Sequence, residues 1–172
     1  MRAHDEQQYV DYVTANLPAL RRLAGSLCKD RDRADDIVQA AITKLYVHWH
    51  KARGAENLDA YVRTIVVRTF LSERRLRWAR VRLTDEPIEP PATPCREVET
   101  RLVVADALDR IPPKVRTVLV LRFLYDLSVR DVAATLGCPE NTVKSHTARG
   151  LTLLRRQLGS DLASFDRREQ RA

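Results

Sequence analysis

The chain has 172 residues, a length that fits one domain or two small ones. Its 44% hydrophobic residues, with only 6% aromatic residues and five glycines, favour packed helices over sheets. A formal charge of +7 and an isoelectric point near 9.7 indicate an acidic partner, either nucleic acid or an anionic membrane surface. No stretch is apolar over the roughly 20 residues of a membrane span, and the N-terminus lacks the apolar core of a signal peptide. We therefore expect a cytoplasmic protein without membrane insertion.

Apolar residues at helical spacing predict the elements of the first half of the chain. One helix covers about Asp5 to Ala15, and Pro18 begins the next, since proline is favoured at the first helical position. After the polar turn KDRDR, Asp32 caps a helix with the sequence ADDIVQAAITKLYVHW. A long helix then runs from about Leu58 to Ala79. Its expected buried residues are Tyr61, Ile65 and Leu71.

Polar residues on two of these helices lie off the apolar faces. In the helix that follows KDRDR they are Asp36, Gln39, Thr43 and Lys44. In the long helix and just after it they are arginines, among them Arg63, Arg68, Arg74 and Arg75. Six arginines between residues 68 and 82 face a single acid, Glu73, so pairing within the helix cannot neutralise them. Such a run of charges usually forms a solvated cationic face, but the excess of arginines here favours binding of an external polyanion.

A proline-rich stretch divides the chain. The segment LTDEPIEPPATPCR carries four of the eight prolines, and a helix cannot continue through that spacing because each proline removes a backbone donor. Acidic residues here follow directly on the basic run. We therefore predict two small helical domains, residues 1–82 and 98–160, joined by a linker at 83–97 and followed by a tail at 161–172. The expected fold class is all-α.

The second half contains the most informative sequence. Two helices ending near Ile111 and Phe123 precede LSVRDVAATLGCPENTVKSHTARGLTLLRRQL, in which Ser128 and Asp131 form a capping pair. Gly137 then supplies a turn, and a longer basic helix follows it. A short helix, a glycine turn and a basic helix are typical of a helix-turn-helix, whose second helix reads the major groove of DNA. The outward residues predicted to contact DNA are Thr142, Lys144, Ser145 and Arg149. An ordinary helical hairpin with solvated charges is the alternative.

Nothing in the sequence indicates catalysis. The cysteines Cys28, Cys95 and Cys138 lack the paired spacing of a zinc site or a disulfide framework. The four histidines have no spaced carboxylate or cysteine partner, and no glycine-rich loop could hold phosphates. Adjacent Asp35 and Asp36 project about 100° apart on a helix, a poor arrangement for acid–base chemistry. We expect no catalytic residue, no metal and no cofactor.

The two halves together resemble the bacterial RNA polymerase sigma factors, specifically the extracytoplasmic-function group of the sigma-70 family. RADDIVQAAITKLYVHW is similar to the family's region 2.2, DAYVRTIVVRTFLSERR to regions 2.3 and 2.4, and residues 108–158 to region 4. AYVRT and KLYVHW are closest to an actinobacterial, sigma-E-like subgroup. The resemblance spans nearly the whole chain.

This resemblance implies a division of labour. Asp36, Gln39, Thr43 and Lys44 would contact core RNA polymerase. Arg63, Arg68, Arg74 and Arg75 would contact the melted minus-ten strand, with a base held near the loop at residues 50–57. Thr142, Lys144, Ser145 and Arg149 would contact the minus-thirty-five duplex. Many members have asparagine where this chain has Arg68, which leaves open whether Arg68 grips phosphate or shifts the preferred base. An anti-sigma factor is a further partner that the family often has.

Two other classes of protein are alternatives to a sigma factor. TVKSH also resembles the DNA-binding domain of two-component and quorum-type regulators, which would bind duplex DNA without polymerase. Their receiver domains need a parallel sheet with an acidic pocket, whereas residues 1–80 show only helical periodicity. An enzyme is the other class, and it lacks candidate catalytic residues. The sequence therefore predicts a sigma factor.

Overall fold

The computed structural model describes residues 3–81 and 96–169, with side chains described for residues 4–73 and 103–159. Every regular element in those ranges is helical, which confirms the all-α prediction. The α-helices are α1 (Ala3–Leu27), α2 (Arg31–Val47), α3 (Trp49–Ala52), α4 (Leu58–Val81), α5 (Arg96–Asp109), α6 (Pro113–Leu119), α7 (Val129–Leu136) and α8 (Glu140–Glu169). A π-helical turn, Val120–Leu124, continues α6. The predicted linker lies almost entirely outside the described residues. None of the helices described is both long and apolar enough to cross a bilayer.

Helix α1 is one continuous helix, so the prediction that Pro18 begins a second helix is wrong. Pro18 lies inside α1. Its ring removes the hydrogen bond that would reach the carbonyl of Thr14, but Thr14 is exposed, where water can replace that bond. The buried residues that follow lie at helical spacing: Leu20, Leu23, Ala24 and Leu27. Burial of this continuous apolar face outweighs the local effect of the proline.

Helix α2 begins two residues earlier than predicted. Its N-cap is Asp30, whose side chain accepts a hydrogen bond from the backbone of Arg33 at 3.2 Å, while Asp32 lies in the first turn. Both positions suit a carboxylate, but only the side chain of Asp30 precedes the helix and can reach its free backbone N–H groups. The buried face of α2 is Ala34, Ile37, Val38, Ala41 and Leu45.

Aromatic side chains join α1 to the end of α2 and the start of α4. Tyr9 makes edge-to-face contacts with Tyr46 and Trp49 and donates a hydrogen bond to the Ile42 carbonyl at 2.9 Å. Tyr12 donates to a carboxylate oxygen of Asp59 at 2.7 Å. Burial is the main cause that raises the pKa of the Tyr12 hydroxyl, with the hydrogen-bonded carboxylate adding to it. These contacts hold α1 against the end of α2 and the start of α4.

The fully buried face of α4 differs from the predicted one. Tyr61, Ile65 and Leu71 are only half-buried, at the edge of the core. The fully buried residues are Val62, Val66, Val67, Thr69 and Phe70. Helix α4 packs against α1 and α2 on one side and against α7 on another, so its apolar face is wider than a single neighbour would require.

The two halves of the chain share one hydrophobic core. The cluster built by α1, α2 and α4 also includes Val118, Val120, Leu121, Val132, Ala133 and Val143 from the second half. Half-buried Tyr125, Leu127 and Leu136 pack against it. A smaller cluster of Ile111, Val115 and Leu119 lies under α8. The sequence predicted two helical domains but not that they would pack together.

Gly150 is the point of closest approach between α8 and α6. A Cβ atom placed there would lie 2.8 Å from Cγ of Leu119, which is itself buried. Gly159 lies in the same helix, and a Cβ atom there would meet nothing within 4 Å. Gly150→Ala should therefore lower the free energy of unfolding by about 1–2 kcal/mol, because overpacking outweighs the gain in helix propensity.

Gly159→Ala is the matched control, and it should raise the free energy of unfolding by about 0.5–1 kcal/mol, since only the propensity gain applies. Urea denaturation of the two variants measures both changes. Equal effects of the two substitutions would contradict the close contact between Gly150 and Leu119.

Candidate nucleic-acid interface

The helix-turn-helix forms as the local sequence predicts. Ser128 is the N-cap of α7: its hydroxyl accepts from the backbone of Asp131 at 3.1 Å and donates to the Asp131 carboxylate at 2.6 Å. Gly137 ends α7 with φ +64°, a left-handed conformation that glycine adopts without strain. Val132 and Ala133 bury one face of α7, and Val143 buries the start of α8. These contacts fix the orientation of α8 against α7.

The predicted DNA-contacting residues of α8 lie together on its outer face. Lys144, Ser145 and Arg149 are exposed, and Thr142 is half-buried. Lys144 and Arg149 present cations to solvent from the first three turns of α8, close to the N-terminal end that faces the duplex in helix-turn-helix proteins. The Ser145 hydroxyl donates within the helix to the carbonyl of Asn141. The structure thus brings together the four residues predicted to read duplex DNA.

A second cationic surface lies on α4, at a cleft between the two halves. The cleft has a volume of about 670 Å³. Its cationic and polar wall from the first half includes Lys51, Asn57, Tyr61, Arg63, Thr64 and Arg68. Leu127, Asp131, Ala134 and Thr135 form the opposite wall. The predicted strand-binding residues Arg63 and Arg68 therefore share one site, whereas the side chains of Arg74 and Arg75 lie outside those that the structure describes.

Arg68 makes a contact that sequence reasoning did not anticipate. Its Nε donates to the carbonyl of Thr135, in the last turn of α7, at 3.4 Å. Its guanidinium also lies beside the turn glycine, because a Cβ atom on Gly137 would be 3.7 Å from Arg68 Nη2. A cation there is stabilised by the unpaired carbonyls and the negative end of the helix dipole. In this conformation Arg68 faces the second half of the chain.

The outward face of α2 carries the residues predicted to contact polymerase. Asp36, Gln39 and Thr43 are exposed and lie on one side of the helix, opposite its buried stripe. Lys44 is exposed too, but its Nζ donates to the hydroxyl of buried Thr69 at 3.0 Å and so links α2 to α4. Asp36, Gln39 and Thr43 thus lie together on the outward face of α2. Lys44 is exposed as well, but it also contacts α4.

An apolar groove between α1 and the second half was not predicted. It measures about 860 Å³. Phe123 and Leu124, in the π-helical turn, are 59% and 64% exposed at this groove. Arg22 and Lys29 of the first half line it too. Exposed aromatic and aliphatic side chains grouped in this way are typical of a surface that a partner protein covers. The only sequence signal for this groove is FLY at residues 123–125, after an apolar helix. The same pattern is found in segments that lie in a core.

Arg116 is a buried residue that the sequence did not single out. It is 2% exposed and lies between the two halves. Its Nη1 donates to the carbonyl of Leu27 at 3.0 Å and forms an ion pair with Asp109, while Nη2 donates to the Asp109 carbonyl at 3.0 Å. The paired carboxylate compensates for burying the charge.

Two family profiles match the chain. The profile described as "Sigma-70 region 2" matches residues 12–80, and the one described as "Sigma-70, region 4" matches residues 101–154. The RNA polymerase sigma-E factor of Streptomyces coelicolor is 31% identical, with 95% of this chain and 94% of that protein covered. The sigma-E factor of Streptomyces avermitilis is 34% identical, with 98% and 97% covered. Among solved structures, the sigma factor RpoE of Bartonella quintana, in complex with the anti-sigma factor NepR, aligns with a TM-score of 0.70 and 27% identity, over 90% of this chain and 99% of that one.

Proposed function

Because this chain belongs to the sigma-70 family, within its extracytoplasmic-function group, we propose that it binds core RNA polymerase and directs initiation at promoters that both of its halves read. The observation that carries the proposal is the presence of two separate cationic surfaces, on α8 and on α4, in one chain. Members of this family are transcription initiation factors and not enzymes. We place the activity in the cytoplasm, where core polymerase and promoter DNA meet.

The division of roles follows the predicted boundaries. Residues 1–82 bind polymerase and the melted minus-ten strand, residues 98–160 read the minus-thirty-five duplex, and residues 83–97 join them. Residues 161–172, most of which continue α8 as far as Glu169, have no assigned role. The alternative, a regulator with a receiver domain, is not supported, because the region 2 match occupies residues 12–80, where a receiver would have to lie. We also propose that the chain has no catalytic activity.

Polymerase docking on α2 can be tested by removing its exposed polar groups. Asp36→Ala combined with Gln39→Ala should weaken the affinity for core polymerase at least about tenfold, because residues central to an interface contribute more than about 1.4 kcal/mol. Gln7→Ala with Asp11→Ala is a matched control, since it removes the same two residue types from an exposed part of α1. Titration of labelled core polymerase gives both affinities. Equal losses in the two double variants would contradict docking on α2.

An anti-sigma partner is the remaining part of the proposal. It is supported by the RpoE relative, whose structure was solved with an anti-sigma factor. The groove at Phe123 and Leu124, with Arg22 and Lys29 in its lining, offers an apolar floor and cations to an amphipathic helix that carries acidic residues. A candidate partner should abolish polymerase-dependent initiation when added in stoichiometric amount. Phe123→Ser with Leu124→Ser should relieve that inhibition, and inhibition that persists unchanged would exclude the groove.

A further inference from the structure

The α4 cleft, which is the cavity of about 670 Å³ between α4 and α7, contains positive charge that its lining does not neutralise. Lys51, Arg63 and Arg68 lie on its first-half wall. None of these three cations forms an ion pair with a carboxylate among the side chains that the structure describes. Asp131 of the opposite wall accepts a hydrogen bond from the Ser128 hydroxyl at 2.6 Å. A concave site with this excess of positive charge favours a small anion that carries several charges.

The two arginines of the α4 cleft have hydrogen-bonding capacity to spare. The Nε of Arg63 is buried and has no hydrogen-bond partner within the described part of the chain. Buried donors are normally paired, and a small rotation of this side chain toward the cleft would bring Nε to an acceptor oxygen of a ligand. Arg68 makes only a long contact, since its Nε lies 3.4 Å from the Thr135 carbonyl. Both guanidinium groups can therefore donate to phosphate oxygens, which arginine binds with two parallel hydrogen bonds.

Other residues of the α4 cleft suit a planar, uncharged group. Tyr61 is half-buried on the first-half wall. Leu127 and Ala134 make the opposite wall partly apolar. A nucleic-acid base stacks on a tyrosine ring whatever its sequence context, because every base has a π-face. The Asp131 carboxylate has further lone pairs that can accept from a base N–H or a sugar hydroxyl. The cleft thus combines a phosphate-binding part with a base-binding part.

From these contacts we propose that the α4 cleft binds a free purine nucleoside diphosphate, with its phosphates on the three cations and its base on Tyr61. A diphosphate carries about three negative charges at neutral pH, because its terminal phosphate is almost doubly ionised. Cavities that enclose small ligands measure about 300–1,000 Å³, so the volume of the cleft is sufficient. This site goes beyond the proposed function, since binding requires neither polymerase nor promoter DNA.

Calorimetric titration of the full chain with ADP and GDP, and separately with inorganic pyrophosphate, tests the site. Magnesium is omitted so that the phosphates are free to contact the arginines. At least one of the two nucleotides should bind at one site per chain with a Kd below about 100 μM. Pyrophosphate should bind at least about fivefold more weakly, because it has no base to stack on Tyr61. Charge alone predicts the opposite order, since pyrophosphate carries at least as much negative charge as the nucleotide.

Two substitutions separate the phosphate-binding part from the base-binding part. Arg63→Gln removes a charge but keeps a polar side chain, so it should weaken binding of both the nucleotide and pyrophosphate about tenfold or more. Tyr61→Leu keeps an apolar side chain but removes the ring. It should weaken nucleotide binding about fivefold or more and leave the affinity for pyrophosphate within about twofold of the wild type.

Arg155→Gln is the matched control for Arg63→Gln. It removes the same charge from an exposed position on α8 that does not line the α4 cleft, so both affinities should stay within about twofold of the wild type. Circular dichroism checks the fold of each variant. If Arg63→Gln does not fold, Lys51→Gln takes its place, because Lys51 is exposed on the same wall, and it should weaken both ligands about threefold or more.

The proposal is overturned if neither ADP nor GDP binds. It is also overturned if pyrophosphate binds as tightly as the nucleotide, since the cleft would then be only a general cationic surface. Equal effects of Arg63→Gln and Arg155→Gln would place the binding outside the cleft and would exclude the site as well. Initiation with core polymerase is measured separately, so a chain that initiates transcription but binds no nucleotide would retain the proposed function and lose only this site.

Discussion

Replacing Phe70 with alanine should lower the free energy of unfolding by about 3–5 kcal/mol, the usual cost of removing a fully buried phenylalanine. Phe70 is 0% exposed, and the Arg33 guanidinium carbon lies 5.9 Å from its ring centroid. The loss is a large part of the about 5–15 kcal/mol that stabilises a domain. Because Phe70 belongs to the cluster that both halves share, the effect should extend beyond the first half.

Urea denaturation followed by circular dichroism measures the change. Val10→Ala is the control, since Val10 is 46% exposed and its truncation should change the free energy of unfolding by less than about 0.5 kcal/mol. We expect one cooperative transition at lower urea concentration for Phe70→Ala. A loss below about 1 kcal/mol would mean that Phe70 does not lie in a packed core.

Replacing Arg149 with alanine should reduce promoter-dependent initiation about tenfold or more, with the affinity for core polymerase unchanged. Arg149 is exposed on the outer face of α8, and an arginine that contacts a base edge or a phosphate contributes about 1–3 kcal/mol. The side chain has no role in the buried contacts of α8 with α6, so the fold should be preserved.

Arg155→Ala is the control for this change. Arg155 is exposed on the same helix, six residues further on and therefore about 120° around the axis from Arg149. Arg155→Ala removes the same charge as Arg149→Ala, but from a different face of α8. Run-off transcription and core-binding titrations on both variants separate DNA reading from general electrostatics. Equal loss of initiation in the two variants, or loss of core binding in Arg149→Ala, would contradict the role given to Arg149.

The parts of the fold that the sequence predicted correctly depend on neighbours along the chain. Ser128 and Asp131 cap α7 from three residues apart, and Gly137 takes up the left-handed conformation that its place after α7 requires. Lys144 and Arg149 point outward because Val143 must point inward. Local rules of this kind are enough to predict the helix-turn-helix and the outward face of α8, without knowledge of the rest of the molecule.

The parts that the sequence did not predict depend on residues far apart in the chain. Pro18 signalled a helix start by local rules, but burial of the residues around it kept α1 continuous. Arg116 would be expected at the surface from its charge, and only its approach to Leu27, 89 residues away, explains its burial. Arg68 was predicted to face nucleic acid, yet it contacts Thr135, 67 residues away. No pattern within a single helix carries that information.

The central claim is that this chain directs RNA polymerase to promoters, and initiation on genomic DNA tests it most directly. Purified protein would be added to core polymerase from the source organism with fragmented genomic DNA, and the 5′ ends of the transcripts would be sequenced. We predict discrete start sites that are absent with core polymerase alone and that share upstream elements near minus ten and minus thirty-five. Absence of such sites, together with specific binding of duplex DNA by the protein alone, would contradict the claim and identify a regulator that acts without polymerase.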